Sequence, residues 1–410
     1  MKRTLFAAAA LASLAAHAQT TLTVAAFPAV DKIVKSAIPG FKKLHPTIDI
    51  KVVGREYADH HNAMVTSLAT GTGLPDVMAV ELGFLGRFAE GKTLTDLSKP
   101  PFNGLPHTTK FVPYTIPLSI NSAGELSAIP TDIGPGTLFY RDDLLKKAGV
   151  TEKDLTASWE SYVEAGKKIK AATGAYLLAG ASDIQRIVIR TGLKSGEGVF
   201  FDKNNKALVD SPRFVRSFEL AKQIRDAKLD ANVGAWSNEW SEGFKRGTIA
   251  TQMMGAWLGG HLQNWLAPNT RGLWRAADLP GGAYGSWGGT FYAIPKKSQN
   301  KEAAWEFIKY MTLNKDVQLA AFKAEDAFPA LLEAQNDPFY EQGVEFFGGQ
   351  KTRLLWRNAV PKIPAVEVAK HDSVAEEVIA TELDKVLEQG KDIKTALADA
   401  KALIERRARR

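Results

Sequence analysis

Six of the nine tryptophans fall in one stretch of the chain: Trp236, Trp240, Trp257, Trp265, Trp274 and Trp287. They stand among glycines and polar residues (GAWSNEW, GAWLGGHLQNW, GSWGGTFY), not in apolar runs. A core tryptophan has apolar neighbours at helical or strand spacing, as Trp305 does in AAWEFIKYM. An indole beside flexible glycine instead offers a ring face to a ligand, and Trp257 and Trp287 are the strongest candidates. Sugar rings carry apolar C–H faces that pack on such rings, while Asp, Glu, Asn and Arg bond their hydroxyls. That combination is a mostly apolar pocket with a few orienting polar groups. The bland alternative is that all six indoles pack between helices.

Other chemistries find little support. No Gly-x-Ser-x-Gly elbow follows a strand, so a hydrolytic triad is not visible. The pairs Gly259-Gly260, Gly281-Gly282 and Gly288-Gly289 match neither a phosphate-binding loop nor a dinucleotide fingerprint. Only His60 and His61 are adjacent among the scattered histidines. Sequence neighbours on a helix point about 100° apart, so they do not form an i, i+4 ligand pair, and a solvated helix surface is expected for them. The absence of cysteine excludes thiol catalysis, thiolate metal sites, disulfides and a lipid-modified cysteine anchor. Neither a metal nor a cofactor site is expected. A pair of acidic residues at glycosidase separation is a tertiary matter that sequence leaves open.

These residues must be positioned by alternating strands and helices. Strands are predicted at Thr21–Ala26, Ile48–Val53 and 75–80, separated by helices near Asp31–Leu44 and His60–Ala69. Pro39-Gly40 interrupts the first helix pattern, so a kink or two separate helices are expected there. Another helix follows at Leu82–Glu90. Connections of this length suit parallel crossovers, so the first half reads as α/β. The middle, from about Arg141 to Gln263, reads as mostly helical, with amphipathic patterns at Asp142–Ala148, Trp159–Thr173, Pro212–Lys228 and Glu239–Arg246. A β-type stretch at Thr290–Ile294 precedes a helix at Lys301–Met311. Two more helices are expected, at Ser373–Glu388 and from Ile393.

At 410 residues, with 45% hydrophobic and 24% charged, the composition is that of a globular protein. The length exceeds the roughly 250–300 residues at which one core stops growing, so two lobes are expected. Lys2 and Arg3, the apolar run Leu5–Ala16 and Ala16-His17-Ala18 have the plan of a secretory signal peptide spanning residues 1–18. The apolar run is shorter than the roughly twenty residues a membrane-spanning helix needs. The expected product is a free extracytoplasmic protein that is not a lipoprotein. The formal charge of +7 falls to about +1 without Lys2, Arg3 and the four arginines of the last five positions, which read as a frayed tail. A nucleic-acid binder would concentrate basic residues on one face, and none does so here.

The motifs then resemble, in order from about Thr21 to Ala400, the family-1 extracellular solute-binding proteins, the sugar-binding components of ABC importers related to maltose-binding protein. The stretches that carry the resemblance are 68–77 (LATGTGLPDV), 128–140 (AIPTDIGPGTLFY), 142–150 (DDLLKKAGV), Ser158-Trp159-Glu160 and Gly255-Ala256-Trp257. Then come Leu279-Pro280-Gly281-Gly282, 288–295 (GGTFYAIP), 302–308 (EAAWEFI) and Phe328-Pro329-Ala330. The resemblance implies a two-lobe periplasmic-binding-protein fold of type II, α/β in class, with the ligand in a cleft between lobes joined by hinge crossings. It divides the chain into residues 19–133 plus 291–324 and residues 134–290 plus 325–410. It implies a non-enzymatic carbohydrate receptor, working as a monomer with ABC permease subunits and without nucleic acid. Its cleft residues carry over to Phe27, Tyr57, Glu81 and Asp132 on one side. On the other they carry over to Asp183, Trp236, Trp240, Trp257, Trp287 and Gly288, with Trp257 at the family's stacking position. Glu81 and Asp132 would accept hydroxyl hydrogen bonds, unless Glu81 caps its helix and Asp132 ties the hinge. Val80-Glu81-Leu82 stands where maltose-binding protein has a sugar-contacting aromatic residue, which argues against maltose. The Asp132–Gly136 crossing is closer to the lactose- and arabinose-type branch. The rival readings are a non-sugar ligand such as a glycerol phosphodiester or polyamine, and a secreted glycoside hydrolase.

Overall fold

The computed structural model describes residues 19–409; the expected leader lies outside them. Strand β1 (Thr20–Ala26) buries Leu22 and Val24–Ala26 and pairs in parallel with β2 (Ile48–Gly54) and β3 (Val77–Glu81). Parallel neighbours need crossovers, and helices α1 (Val30–Leu44) and α2 (Tyr57–Thr70) supply them. The interruption expected at Pro39-Gly40 does not split α1 into two helices; it continues as one. An interior proline costs a helix about 3 kcal/mol. Burial of Ile33, Val34 and Phe41 on the inner face, with Phe41 edge-on to Phe307 at 5.3 Å, offsets that cost. Helix α3 (Leu82–Glu90) leaves β3 directly.

The feature that makes this one molecule with two halves is β4 (Ile129–Arg141), thirteen residues long. Its first part pairs antiparallel with β7 (Ser286–Ala293) and β8 (Phe328–Pro329). From Gly136 onward it pairs with β5 (Thr251–Gly255) and β6 (Trp274–Ala277). The strand order is β2-β1-β3-β7-β4-β5, with β6 and β8 also on β4. Strand β5 lies in the stretch read from sequence as mostly helical, where no strand was expected. Thr251–Gly255 is buried along its whole length, so it shows no alternation and cannot be told from a buried helix by period.

Two apolar cores flank this shared strand. The first holds Leu22, Val24, Phe41 and Val80 and continues past the crossings to Phe244, Trp274 and Phe347. The second holds Tyr162, Ile169, Phe214 and Leu383. The halves also meet at a rim formed by α3. There Gly86 of α3 abuts the backbone of Ala369, just before the helix Asp372–Gln389. The arginine-rich tail is not frayed where described: Arg406 and Arg407 form the last turn of the helix Ile393–Ala408, where cations complement the helix dipole. Among the described residues no helix is long and apolar enough to cross a membrane.

Candidate functional site

A cleft of about 1120 Å³ lies between the halves, over the strands that join them. Its floor is set by register. Thr290 of β7 pairs with Glu81 of β3 on one side and Asp132 of β4 on the other, which places two carboxylates in one row across three strands. Asp132 is bonded to Thr290, and burial pushes its carboxyl up to about 6.

Glu81 caps α3 and lines the cleft at once. Its Oε2 accepts from Gly83 N at 2.8 Å and from Tyr57 Oη at 2.8 Å. Its own backbone N–H donates to His61 Nε2 at 3.2 Å, so His61 holds its proton on Nδ1 and donates to the Tyr57 carbonyl at 2.8 Å. Burial keeps His61 neutral by lowering its pKa to about 3. His60 and His61 are therefore not on a solvated surface: both are fully buried, and His60 Nε2 meets the Ala79 carbonyl at 2.7 Å. They face the sheet because they lie on the inner side of α2, packed beside Phe27.

Burial raises Glu81 to about 7 against an ordinary 4.5. A carboxyl whose pKa rises on folding contributes stability that is full below about pH 4.5 and is lost as pH climbs through about 7. Glu81→Gln removes that titration. Thermal melts of the unliganded variant should therefore decline less steeply than wild type between about pH 5 and pH 8; parallel curves would refute this role for Glu81.

The facing wall is aromatic. Trp257 follows β5, and its Nε1 donates to the Trp287 carbonyl at 2.8 Å. A side chain at Gly255 would collide with Trp257 Nε1 and with that carbonyl, so the close approach of indole and strand requires glycine there. Gly288, at φ +77°, sits beside the same indole and near Glu81 Oε1. Trp287 carries the Arg190 guanidinium 5.4 Å over its ring, and Arg190 Nη2 donates to Glu376 Oε1 at 2.8 Å. Arg190, Glu376 and Asp372 also line the cleft. Asp372 is raised to about 7 by burial, and its Oδ1 is buried without a partner.

Eight of the ten residues carried over from the resemblance line the cleft: Phe27, Tyr57, Glu81, Asp132, Trp236, Trp257, Trp287 and Gly288. Trp240 and Asp183 do not; they lie behind its wall, 0% and 5% exposed. Trp240 Nε1 donates to Gln252 Oε1 at 3.0 Å, and Gln252 Nε2 donates to Asp183 Oδ2 at 3.0 Å. Trp240 points inward because it sits on the buried face of the helix Asn238–Arg246, whose cap is Ser237. Trp274 is likewise core, its Nε1 satisfied by Thr270 Oγ1. Sequence reasoning left out Tyr114, Arg190, His261, Asp372 and Glu376, all of which line the cleft. A lone arginine on a helix has no signal of its own, because its partner is 186 positions away. Among the described residues no group of three or more His, Asp or Glu side chains could hold a metal ion.

The profile of the bacterial extracellular solute-binding protein family matches residues 23–318. A lactose-binding protein of Rhizobium radiobacter is 27% identical over 355 residues, covering 82% of this chain and 80% of that protein. An arabinooligosaccharide-binding protein of Bacillus subtilis is 28% identical over 280 residues, covering 66% of this chain and 64% of that protein. Among solved structures, the ABC transporter associated binding protein of B. animalis subsp. lactis Bl-04, in complex with beta-1,6-galactobiose, superposes with a TM-score of 0.80. It is 23% identical and covers 94% of this chain and 97% of that one.

Proposed function

Because the chain belongs to the bacterial extracellular solute-binding protein family, we propose that it is the receptor of an ABC sugar importer, capturing its ligand between two lobes and presenting it to membrane permease subunits. The observation that carries the sugar reading is the pairing of an indole wall, Trp257 and Trp287, with the carboxylate row Glu81 and Asp132 across one cleft. Ring faces take the apolar side of a pyranose or furanose, and acceptors take its hydroxyls. Closing the lobes removes water, so each hydroxyl must find a protein partner. Carboxylates outnumber guanidinium groups around the cleft, which disfavours a phosphate ester.

The lobe division follows the crossings in β4, in β7 and just before β8: residues 19–133 plus 291–324, and residues 134–290 plus 325–410. Ligand contacts from both lobes favour the closed form, which is the species a permease can distinguish. The receptor acts as a monomer outside the cytoplasmic membrane, exported by its leader and without a lipid anchor. It performs no chemistry on the sugar.

A panel of mono-, di- and trisaccharides tests this. At a ligand concentration a hundred times Kd, one sugar should stabilise the fold by about 2.7 kcal/mol, which raises the melting temperature by several degrees. The same sugar should change tryptophan fluorescence. No shift with any sugar would sink the carbohydrate reading, and release of product from a chromogenic glycoside would replace it with a hydrolase.

A further inference from the structure

The aromatic wall does not end at Trp257. Trp236 and Trp265 are 52% and 47% exposed, unusual for rings of this size, and both line the same cleft. Trp236 lies 6.0 Å from Trp257 with ring planes 17° apart, and 6.4 Å from Trp265 with planes 24° apart. Nearly parallel rings at these separations touch only when slipped sideways, so the three make a stepped surface leading outward from the cleft floor.

That surface is held in place. His261 stands nearly perpendicular to all three rings, 5.4 to 5.7 Å away. It accepts from Trp265 Nε1 at 2.8 Å. Burial lowers His261 to about 4, so near neutral pH Nδ1 stays unprotonated and able to accept. Trp236 is backed by the buried ring of Trp240 at 5.0 Å. Trp236 also has φ +72°, a left-handed conformation that a bulky side chain rarely adopts. Backbone strain of this kind persists only where the surrounding structure holds it, and such residues cluster at active and binding sites.

We propose that Trp236 and Trp265 form a second carbohydrate subsite, continuous with Trp257, that receives additional sugar units and makes the ligand an oligosaccharide of at least three. The inference rests on the sugar reading above. The occupant is the ligand itself, because both rings line the same cleft as Trp257 and each stands within 6.4 Å of the next ring, so the apolar face is continuous. Glu325, whose backbone abuts Gly260 next to His261 and whose carboxylate lies 4.0 Å from Lys32 Nζ, lines the cleft at this end.

The test is a chain-length series, one to four units of gluco-, galacto- and arabino-oligosaccharides, titrated calorimetrically into wild type, Trp265→Ala and Trp265→Phe. In wild type, affinity should rise about tenfold or more between the two-unit and the three- or four-unit ligand. Trp265→Ala should abolish that gain while leaving the two-unit affinity within about twofold, and Trp265→Phe should restore part of it. Trp265 is half-exposed, so its loss leaves the core intact; a melting curve of the unliganded variant checks this. Equal weakening at every length, no weakening at any length, or tightest binding of a single unit would overturn the second subsite while leaving the sugar reading intact. Failure of every sugar to bind wild type would remove both.

Discussion

Trp257→Ala weakens sugar binding by about 2 kcal/mol, roughly thirtyfold in Kd, the loss typical of truncating a central tryptophan in a desolvated site. Three contacts disappear together. The ring face is lost to the ligand, the 2.8 Å hydrogen bond to the Trp287 carbonyl is broken, and Trp236 loses the ring on its inner side. The carbonyl left behind belongs to the crossing strand β7, so part of the cost is an unmet acceptor at the cleft floor. Trp257→Phe separates these effects: it keeps a ring face but cannot donate, and should recover the stacking part of the loss. Calorimetry on the tightest-binding sugar of the panel measures both variants. Unchanged affinity in Trp257→Ala would take this residue out of the site, whatever the sugar.

Gly86→Ala should weaken the same sugar about tenfold or more without contacting it. A methyl group at Gly86 would lie 2.5 Å from the Ala369 carbonyl oxygen and 3.1 Å from its nitrogen, and backbone atoms cannot swing aside as a flexible side chain would. The segment that carries Ala369 is itself tied down. Ala369 N donates to Asp372 Oδ2 at 2.8 Å, and Gly196 N donates to the Ala365 carbonyl at 2.8 Å. The clash is therefore relieved by parting the rim. A closed form disfavoured by 1.4 kcal/mol lowers apparent affinity tenfold, because only the competent fraction binds. The unliganded variant should melt at close to the wild-type temperature, since alanine is about 1 kcal/mol better than glycine inside a helix such as α3. Small-angle scattering with saturating ligand should show a larger radius than for wild type. Wild-type affinity in Gly86→Ala would mean that this rim contact plays no part in capture.

Much of the local structure was legible along the chain, since it rests on local rules. Asp142–Ala148 and Trp159–Thr173 run as their amphipathic periods predict, each ending in a left-handed glycine, Gly149 and Gly174. The α/β alternation of the first half is set by short apolar runs between turn residues. Where a segment is buried on all sides, as in β5, periodicity carries no information, and this strand went unassigned in a stretch read as mostly helical. His60 and His61 were misjudged for a related reason: polar residue type outweighed position, although their ring nitrogens find backbone partners inside.

The candidate site divides the same way. The sequence by itself determined which residue types were on offer: no thiol, a near-neutral body, and a run of tryptophans set among glycines. It placed Trp257 two positions after Gly255, but only the tertiary structure shows that this glycine makes room for the indole. Only the tertiary structure decided which indoles face the cleft. Trp236 and Trp240 are four apart in sequence, yet one ring is half-exposed and the other fully buried on a bond to Gln252. Only strand register set Glu81 and Asp132 on either side of Thr290, and only packing brought Arg190 to Glu376. The physical reason is that residue type and spacing act over a turn of helix or a few residues of strand. Which face meets solvent, and which charge meets which, depends on contacts between separate segments, 12 positions apart for Trp240 and Gln252 and 186 for Arg190 and Glu376.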